Sequence, residues 1–110
     1  MKGSRKMKAI NSVEEFNKVI NSPETVIVKF ETGWCPDCKR LNMYVDDLVQ
    51  EFPFKWYSAD RDQFPELGRD YQVLGIPSLL AFKSGKKTAH LRADNQSPDE
   101  IRDYLKSIER

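Results

Sequence analysis

The sequence predicts an α/β domain in which a mixed sheet of four to five strands carries helices on both faces. Two observations lead to this fold class. Apolar residues recur with a helical period in several segments, and short β-branched apolar runs separate those segments. A strand, a helix and a second strand follow one another between residues 25 and 60, which is the order of a right-handed parallel crossover unit. The 110 residues suit one ordinary domain, so we expect a single domain over residues 1–110, with residues 1–6 flexible.

The chain is predicted to open with a helix. In the segment INSVEEFNKVI, residues 10–20, Ser12 and Glu15 form a capping-box pattern at the start of an apolar face. Asn21 to Pro23 end this helix. A short opening strand is expected before it, at residues 7–10.

The crossover unit follows. TVIVKF, residues 25–30, is almost entirely apolar and rich in β-branched residues, as in a buried central strand. Apolar residues then recur at helical spacing from Cys38 to Phe52, which predicts one continuous helix, and Pro53 lies beyond its end. FKWYSAD, residues 54–60, is predicted as the second strand.

The second half of the chain supplies the rest of the sheet. DQFPELGRDYQV, residues 62–73, predicts a short helix with glycine and proline breaks. SLLAFKSGKKTAHL, residues 78–91, predicts a hairpin that turns at Ser84-Gly85. A closing helix is expected in residues 96–109, capped by Ser97 with Glu100 three residues later.

Composition excludes several classes of protein. The chain has 18 basic and 17 acidic residues, for a formal net charge of +1. This balance argues against nucleic-acid binding and membrane-surface binding, which favour a basic excess. The basic start MKGSRKMK is not followed by the apolar run of a signal peptide, and no segment approaches the roughly 20 apolar residues of a membrane span. We therefore expect a soluble, cytoplasmic protein.

The only two cysteines, Cys35 and Cys38, come between the central strand and the next helix. Residues three apart in a first helical turn lie on the same side, so the two sulfurs can close a short disulfide. Unpaired backbone N–H groups at a helix start favour a thiolate, the nucleophile of disulfide exchange. We assign Cys35 as the exposed, attacking nucleophile and Cys38 as the more buried, resolving thiol.

The two residues between the cysteines modify this chemistry. Pro36 suits the first turn of a helix and stiffens it. Asp37 suits the helix dipole, but its negative charge opposes ionisation of the neighbouring thiols.

Two other interpretations of the cysteines remain open. They can be ordinary buried core thiols, or they can be half of a zinc site, which needs about four ligands. The single histidine, His90, lies far away in the predicted hairpin, so a zinc site would require a second chain. We expect no bound metal, and we expect His90 to be a surface residue.

Two segments resemble the thioredoxin family. VIVKFETGWCPDCK resembles its strand and active-site turn, and VLGIPSLLAFKSGK resembles its segment with a cis-proline followed by a hairpin. The resemblance implies the thioredoxin fold and a cis bond between Ile76 and Pro77, in a loop that faces the cysteines. The backbone of Ile76 would then pair with an extended client segment. From the residues alone, Pro77 can also be a proline that starts a strand.

The resemblance also implies a docking surface. Trp34, Ile76 and Pro77 are expected to form an exposed apolar rim around the sulfur, although Trp34 can also be a simple packing residue. The expected substrate-binding residues are Trp34, Pro36, Gly75, Ile76, Pro77 and Ala93. The loop before the last helix lacks the glycine usual in the family, so Arg92, Ala93 and Asp94 are expected to narrow the surface.

The sequence departs from the family at the central strand. Lys29 stands where the family has a buried aspartate thought to help move the proton of the second cysteine, and Glu31 stands where an aromatic residue is common. One hypothesis is that Glu31 or Asp37 takes over part of this acid/base role. The alternative is a solvated Glu31 and a Lys29 whose stem extends to the surface.

The function implied by the resemblance is that of a thiol–disulfide oxidoreductase, a reductase of protein disulfides acting through Cys35 and Cys38. No bound cofactor is needed, since electrons would come from NADPH through a flavoprotein of the thioredoxin reductase type. The expected partners are disulfide-containing client proteins, with no nucleic acid and no membrane, and the expected state is a monomer. The alternatives are a specialised reductase of small or mixed disulfides, and a redox sensor or binding module without turnover.

Overall fold

Five strands and five helices make up the part of the chain that the computed structural model describes, residues 5–109. The strands are β1 (Lys8–Ala9), β2 (Val26–Glu31), β3 (Lys55–Asp60), β4 (Ser78–Lys83) and β5 (Lys86–Arg92). The helices are α1 (Val13–Ile20), α2 (Pro36–Asn42), α3 (Val45–Glu51), α4 (Pro65–Asp70) and α5 (Pro98–Ile108). The prediction that residues 1–6 are flexible falls mainly on residues 1–4, and these lie outside the described range.

The strands form one mixed sheet in the order β1-β3-β2-β4-β5. β1, β3 and β2 run parallel, whereas β4 is antiparallel to β2 and β5 is antiparallel to β4. The crossover from β2 to β3 is the unit that the sequence predicts. Because β2 is central, the chain that leaves its carboxyl end emerges in the middle of the sheet edge, where the cysteines lie.

A core layer covers each face of the sheet. On one face, Phe16 of α1 and Leu67 of α4 pack against Val28 and Phe30 of β2. On the other face, α3 and α5 pack against Ile27 of β2, which points away from its two neighbours. The predicted fold class, a mixed sheet with helices on both faces, is confirmed.

The continuous helix expected from Cys38 to Phe52 is wrong. α2 ends at Asn42 and α3 begins at Val45. The amides of Met43 and Tyr44 bond to carbonyls three residues back, at 3.2 and 3.1 Å, so the last turn of α2 tightens before the chain changes direction. Leu41 and Leu48 nevertheless pack in the same core layer, so the apolar spacing runs through the break and conceals it.

The local signals at the ends of the elements are only partly realised. The hydroxyl of Ser12 accepts from the Glu15 amide, but the Glu15 carboxylate accepts from Asn11 instead of closing the box on Ser12. The box of Ser97 and Glu100 on α5 is complete. The hairpin turns where predicted, with positive φ at Ser84 and Gly85. Among the helices between residues 5 and 109, none has the length and apolar character needed to cross a membrane.

Candidate active site

Cys35 caps the amino end of α2, and Cys38 lies one turn into it. The amide of Cys38 donates to the Cys35 sulfur at 3.1 Å, and this sulfur lies 3.7 Å from the Ile76 carbonyl, to which the thiol donates. Pro36 occupies an early helical position, where its missing N–H costs no helical hydrogen bond. The strand, the proline and the cap together fix both sulfurs between α2 and the loop that precedes β4.

Both thiols are free and buried, with Cys35 exposed to 4% and Cys38 to 1%. The expectation of an exposed Cys35 is therefore wrong, because its side chain turns inward against the carbonyl of Ile76. Burial raises the pKa of the Cys38 thiol well above its usual value, and the hydrogen bond with Cys35 and the charge of Glu31 raise it further. Cys38 is thus protonated at neutral pH.

The bond between Ile76 and Pro77 is cis, as the resemblance implies. Both residues are buried, so the expected exposed rim of Trp34, Ile76 and Pro77 is wrong for two of its three members. Trp34 is 62% exposed, and its indole N–H donates to the Asp62 carboxylate at 2.8 Å. The exposed apolar side chain on the loop itself is Leu74, at 81%. Trp34, Leu74 and the predicted substrate-binding residue Pro36 are exposed around the site, whereas the side chains of Ile76 and Pro77 are not.

The loop before α5 lies over the proline loop. The amide of Ala93 donates to the Pro77 carbonyl at 2.8 Å, and Ala93 is buried. The side chain of Arg92 covers Gly75 so closely that a Cβ added to this glycine would lie 2.1 Å from the Arg92 Nε. Asp94 holds the guanidinium at 3.2 Å. Arg92 therefore occupies space directly beside the loop that carries Gly75 and Pro77. This is the place where the sequence predicts a narrower docking surface.

Beneath α2, Lys29 and Glu31 form an ion pair of 3.0 Å. Lys29 is only 3% exposed, so the alternative in which its stem extends to the surface is wrong. Its ammonium group also donates to the side-chain carbonyl of Asn42, whose amide group donates to Glu31 at 3.3 Å. Sequence reasoning missed Asn42, although it lies four residues after Cys38 and therefore on the same side of the helix.

A polar cavity of about 510 Å³ lies behind Cys38. Glu31, Thr32, Cys38 and Asn42 contribute to its lining. The Thr32 hydroxyl is buried, and it has no hydrogen-bond partner within residues 5–109. Asp37, the other predicted acid/base candidate, pairs with Arg40 at 2.6 Å on the outer side of α2. The structure thus brings Glu31 to the cavity of Cys38 and commits Asp37 to a different partner.

The zinc-site interpretation of the cysteines requires a cluster of metal ligands. Within residues 5–109, no group of three or more His, Cys, Asp or Glu side chains is arranged to hold a metal ion. His90 is half-buried on β5, and its Nδ1 lies 2.9 Å from the Lys87 ammonium. Burial and the charge of Lys87 lower the pKa of His90.

Comparison with known proteins places this geometry in a family. The sequence model of the family described as Thioredoxin matches residues 7–107. The chain belongs to the thioredoxin family. It is 31% identical over 106 residues to the chloroplastic thioredoxin M3 of Oryza sativa subsp. japonica, covering 94% of this chain and 61% of that protein. It is 34% identical over 102 residues to the probable thioredoxin-2 of Caenorhabditis elegans, covering 87% of this chain and 70% of that protein.

Solved structures of thioredoxins have the same fold as this chain. The crystal structure of a thioredoxin from Nicotiana alata superposes with a TM-score of 0.83 at 17% identity, covering 97% of this chain and 96% of that one. The thioredoxin fold implied by the two sequence segments is confirmed. Proteins of this family are protein-disulfide oxidoreductases, and the spacing of Cys35 and Cys38 fits their active-site pair. The chain spans less than two thirds of the rice relative.

Proposed function

We propose that this chain is a thiol–disulfide oxidoreductase that reduces protein disulfides through Cys35 and Cys38. The observation that carries the proposal is the position of the Cys35 sulfur. It lies 3.1 Å from the Cys38 amide nitrogen and 3.7 Å from the Ile76 carbonyl oxygen. The amide can stabilise a thiolate, and the carbonyl belongs to the loop where an extended client segment would pair.

The reaction has two exchange steps. The Cys35 thiolate attacks one sulfur of the client disulfide, so that a bond forms between Cys35 and the client while the other client sulfur leaves as a thiolate. Cys38 then attacks the Cys35 sulfur, which closes the protein disulfide and releases the second client sulfur. The client gains two electrons and two protons, and the protein dithiol loses them.

The second step requires removal of the Cys38 proton. Burial raises the pKa of this thiol, so a nearby acceptor lowers the cost of forming the thiolate. Glu31 is the acceptor that we propose, because its carboxylate and Cys38 line the same cavity. Thr32 lines this cavity as well. Asp37 is the weaker candidate, since its carboxylate pairs with Arg40 on the outer side of α2 and does not line the cavity of Cys38.

Electrons return from NADPH through a flavoprotein reductase in this proposal. The two sulfurs carry the electron pair, so the chain itself needs no bound cofactor. Proteins of the family are generally reduced by a reductase, and its type here is part of the proposal. The cytoplasmic location and the monomeric state stay predictions.

Two observations favour the alternative functions. Arg92 beside Gly75 narrows the docking surface, which favours a specialised reductase of small or mixed disulfides. The burial of Cys35 favours a binding module or redox sensor whose thiol does not turn over.

The test compares reduction of a protein disulfide by the wild type, Cys35→Ser and Cys38→Ser, with NADPH and a thioredoxin reductase as electron source. If the chain is a reductase, the wild type turns over and Cys35→Ser is inactive. Cys38→Ser then accumulates a covalent mixed disulfide with the client. A different outcome is that a small dithiol reduces the disulfide of this protein but the wild type does not reduce the client. A client complex that then forms without any covalent link contradicts the proposal and supports the binding module. Turnover of a small disulfide alone supports the specialised reductase.

A further inference from the structure

A notch lies between α4 and the chain segments on either side of it, at residues 61–62 and 73–74. Its volume is about 350 Å³. Pro65, Gly68, Val73 and Leu74 form its apolar part, and Arg61 and Arg69 flank it. We call this surface the Leu74 notch.

Two residues of the notch are close to the reactive centre. Leu74 is two residues from Ile76, whose carbonyl contacts the Cys35 sulfur. Asp62 also lines the notch, and its carboxylate accepts from the Trp34 indole at 2.8 Å. Two residues of an extended chain span about 7 Å. A client segment that pairs with Ile76 and continues towards Leu74 therefore reaches the notch two residues from the attacked cysteine.

The shape of the notch depends on a glycine. A Cβ added at Gly68 would meet the Cγ of Arg61 at 3.2 Å, so the aliphatic stem of Arg61 lies across this position of α4. The stem and the exposed Leu74 side chain are apolar walls that one client side chain of leucine size could contact.

The charged lining of the notch consists of two basic side chains and one acidic side chain. Within residues 5–109, neither Arg61 nor Arg69 forms an ion pair with a carboxylate. The acidic side chain of the lining, Asp62, is turned to the Trp34 indole. Two guanidinium groups that hold no ion pair, beside an apolar depression, complement a segment that carries both an apolar and an acidic side chain.

We propose that the Leu74 notch selects clients whose disulfide lies in an extended segment with a large apolar residue two positions from the attacked cysteine and an acidic residue two positions beyond it, so that both side chains leave the same face of the segment. Leu74 and Gly68 receive the apolar side chain, and Arg61 and Arg69 receive the carboxylate. The inference rests on the proposed function, since it names the client class of that same site.

The test uses three short peptides, each with one cysteine held as a mixed disulfide with β-mercaptoethanol. The first carries Leu two positions from the cysteine on each side and Asp two positions further out, so that these side chains share one face. The second has Lys in place of Asp, and the third has Ser in place of Leu. Second-order rate constants of single-turnover reduction are obtained from the released peptide thiol. Each is divided by the rate constant with dithiothreitol, which removes differences in intrinsic reactivity.

The expected result is that the Asp–Leu peptide reacts about fivefold faster than the Lys–Leu peptide at low salt. It also reacts about threefold faster than the Asp–Ser peptide, because a leucine side chain is partly buried. The charge preference shrinks to less than about twofold at 0.5 M salt, where exposed charges are screened.

Two variants assign these preferences to the notch. In Arg61→Gln/Arg69→Gln the charge preference falls below about twofold, and in Leu74→Ser the preference for leucine disappears. The matched control is Lys83→Gln/Lys86→Gln, which removes the same charge at the opposite end of the sheet and keeps both preferences. Equal slowing of all peptides by the arginine variant would overturn the inference.

The wild-type data separate the inference from the function. If all three peptides are reduced at one normalised rate, the function stands and the notch is not a selector. If the wild type reduces none of them, although dithiothreitol does, the proposed function and the inference both fail.

Discussion

The ammonium group of Lys29 lies 3.0 Å from a carboxylate oxygen of Glu31, and Lys29 is almost fully buried. The two residues are two positions apart on β2, so their side chains leave the same face of the sheet. Asn42 binds both of them from α2. A buried positive charge is thereby paired and hydrogen-bonded below the helix that carries the reactive cysteines.

The first prediction concerns the stability of this pair. Glu31→Gln leaves the Lys29 charge buried without its counter-ion, which costs about 2–3 kcal/mol after allowance for the partial exposure of Glu31. Lys29→Met/Glu31→Gln removes both charges and recovers the stability to within about 1 kcal/mol of the wild type. Urea unfolding of the three reduced proteins gives these free energies. Equal losses in both variants would contradict this account of the pair.

The second prediction concerns the proton of Cys38. If Glu31 accepts it, both Glu31→Gln and Lys29→Met/Glu31→Gln slow disulfide reduction at neutral pH about tenfold or more, although their stabilities differ. The slow step is the attack of Cys38, so the mixed disulfide with the client accumulates in both variants. Quenched samples between pH 6 and 9 measure it, and the deficit shrinks as the pH rises. A rate unchanged from the wild type removes Glu31 from the mechanism.

The location of the reactive turn could be predicted from the sequence. The apolar run of β2 and the spacing of Cys35 and Cys38 are local signals, and local signals are sufficient for a strand, a cap and a helix start. The burial of Cys35 could not be predicted in the same way. It depends on contact with the Ile76 carbonyl, which is 41 residues away in the chain.

The environment of Lys29 was also inaccessible to sequence reasoning. Lysine is rarely buried unless it is paired. Its charge partner Glu31 is local, but the ammonium group also donates to Asn42, 13 residues further along on another element. The same limit explains the continuous helix predicted between Cys38 and Phe52. Apolar spacing reports which side chains face the core, and at Met43 the helix breaks without changing that pattern.

The third prediction is a pH dependence of stability. The folded state raises the pKa of Cys38 above its ordinary value of 9.0, so it holds the proton more tightly than the unfolded chain does. The resulting stability is fully present below pH 9 and is lost as the pH rises through the higher pKa of the folded state. Unfolding by guanidinium at pH 8, 9 and 10 should therefore show that the reduced wild type weakens with pH.

Cys38→Ala is the control for this titration. Its cavity lowers stability at every pH, but the variant lacks the linked proton, so its free energy of unfolding falls less steeply above pH 9. The difference in slope is at most about 1.4 kcal/mol per pH unit, which is the limit for one proton. Parallel curves for wild type and variant would mean that the thiol is not perturbed in the folded state.

The fourth prediction concerns the arginine beside the proline loop. Arg92→Ala removes the side chain that covers Gly75 and frees Asp94 from its partner. If Arg92 restricts access to the loop, kcat/KM for a protein disulfide rises about threefold, mainly through a lower KM, because the client no longer displaces the guanidinium. A small neutral disulfide, which does not pair with the loop, should react at an unchanged rate.

Lys86→Ala is the matched control for Arg92→Ala, because Lys86 is an exposed basic residue at the opposite end of the same strand. It removes one positive charge without uncovering Gly75, so it should leave both substrates unaffected. A fall in kcat/KM confined to the protein disulfide in Arg92→Ala would reverse the interpretation. Arg92 would then be a contact that binds the client, and Asp94 would hold it in place for that purpose.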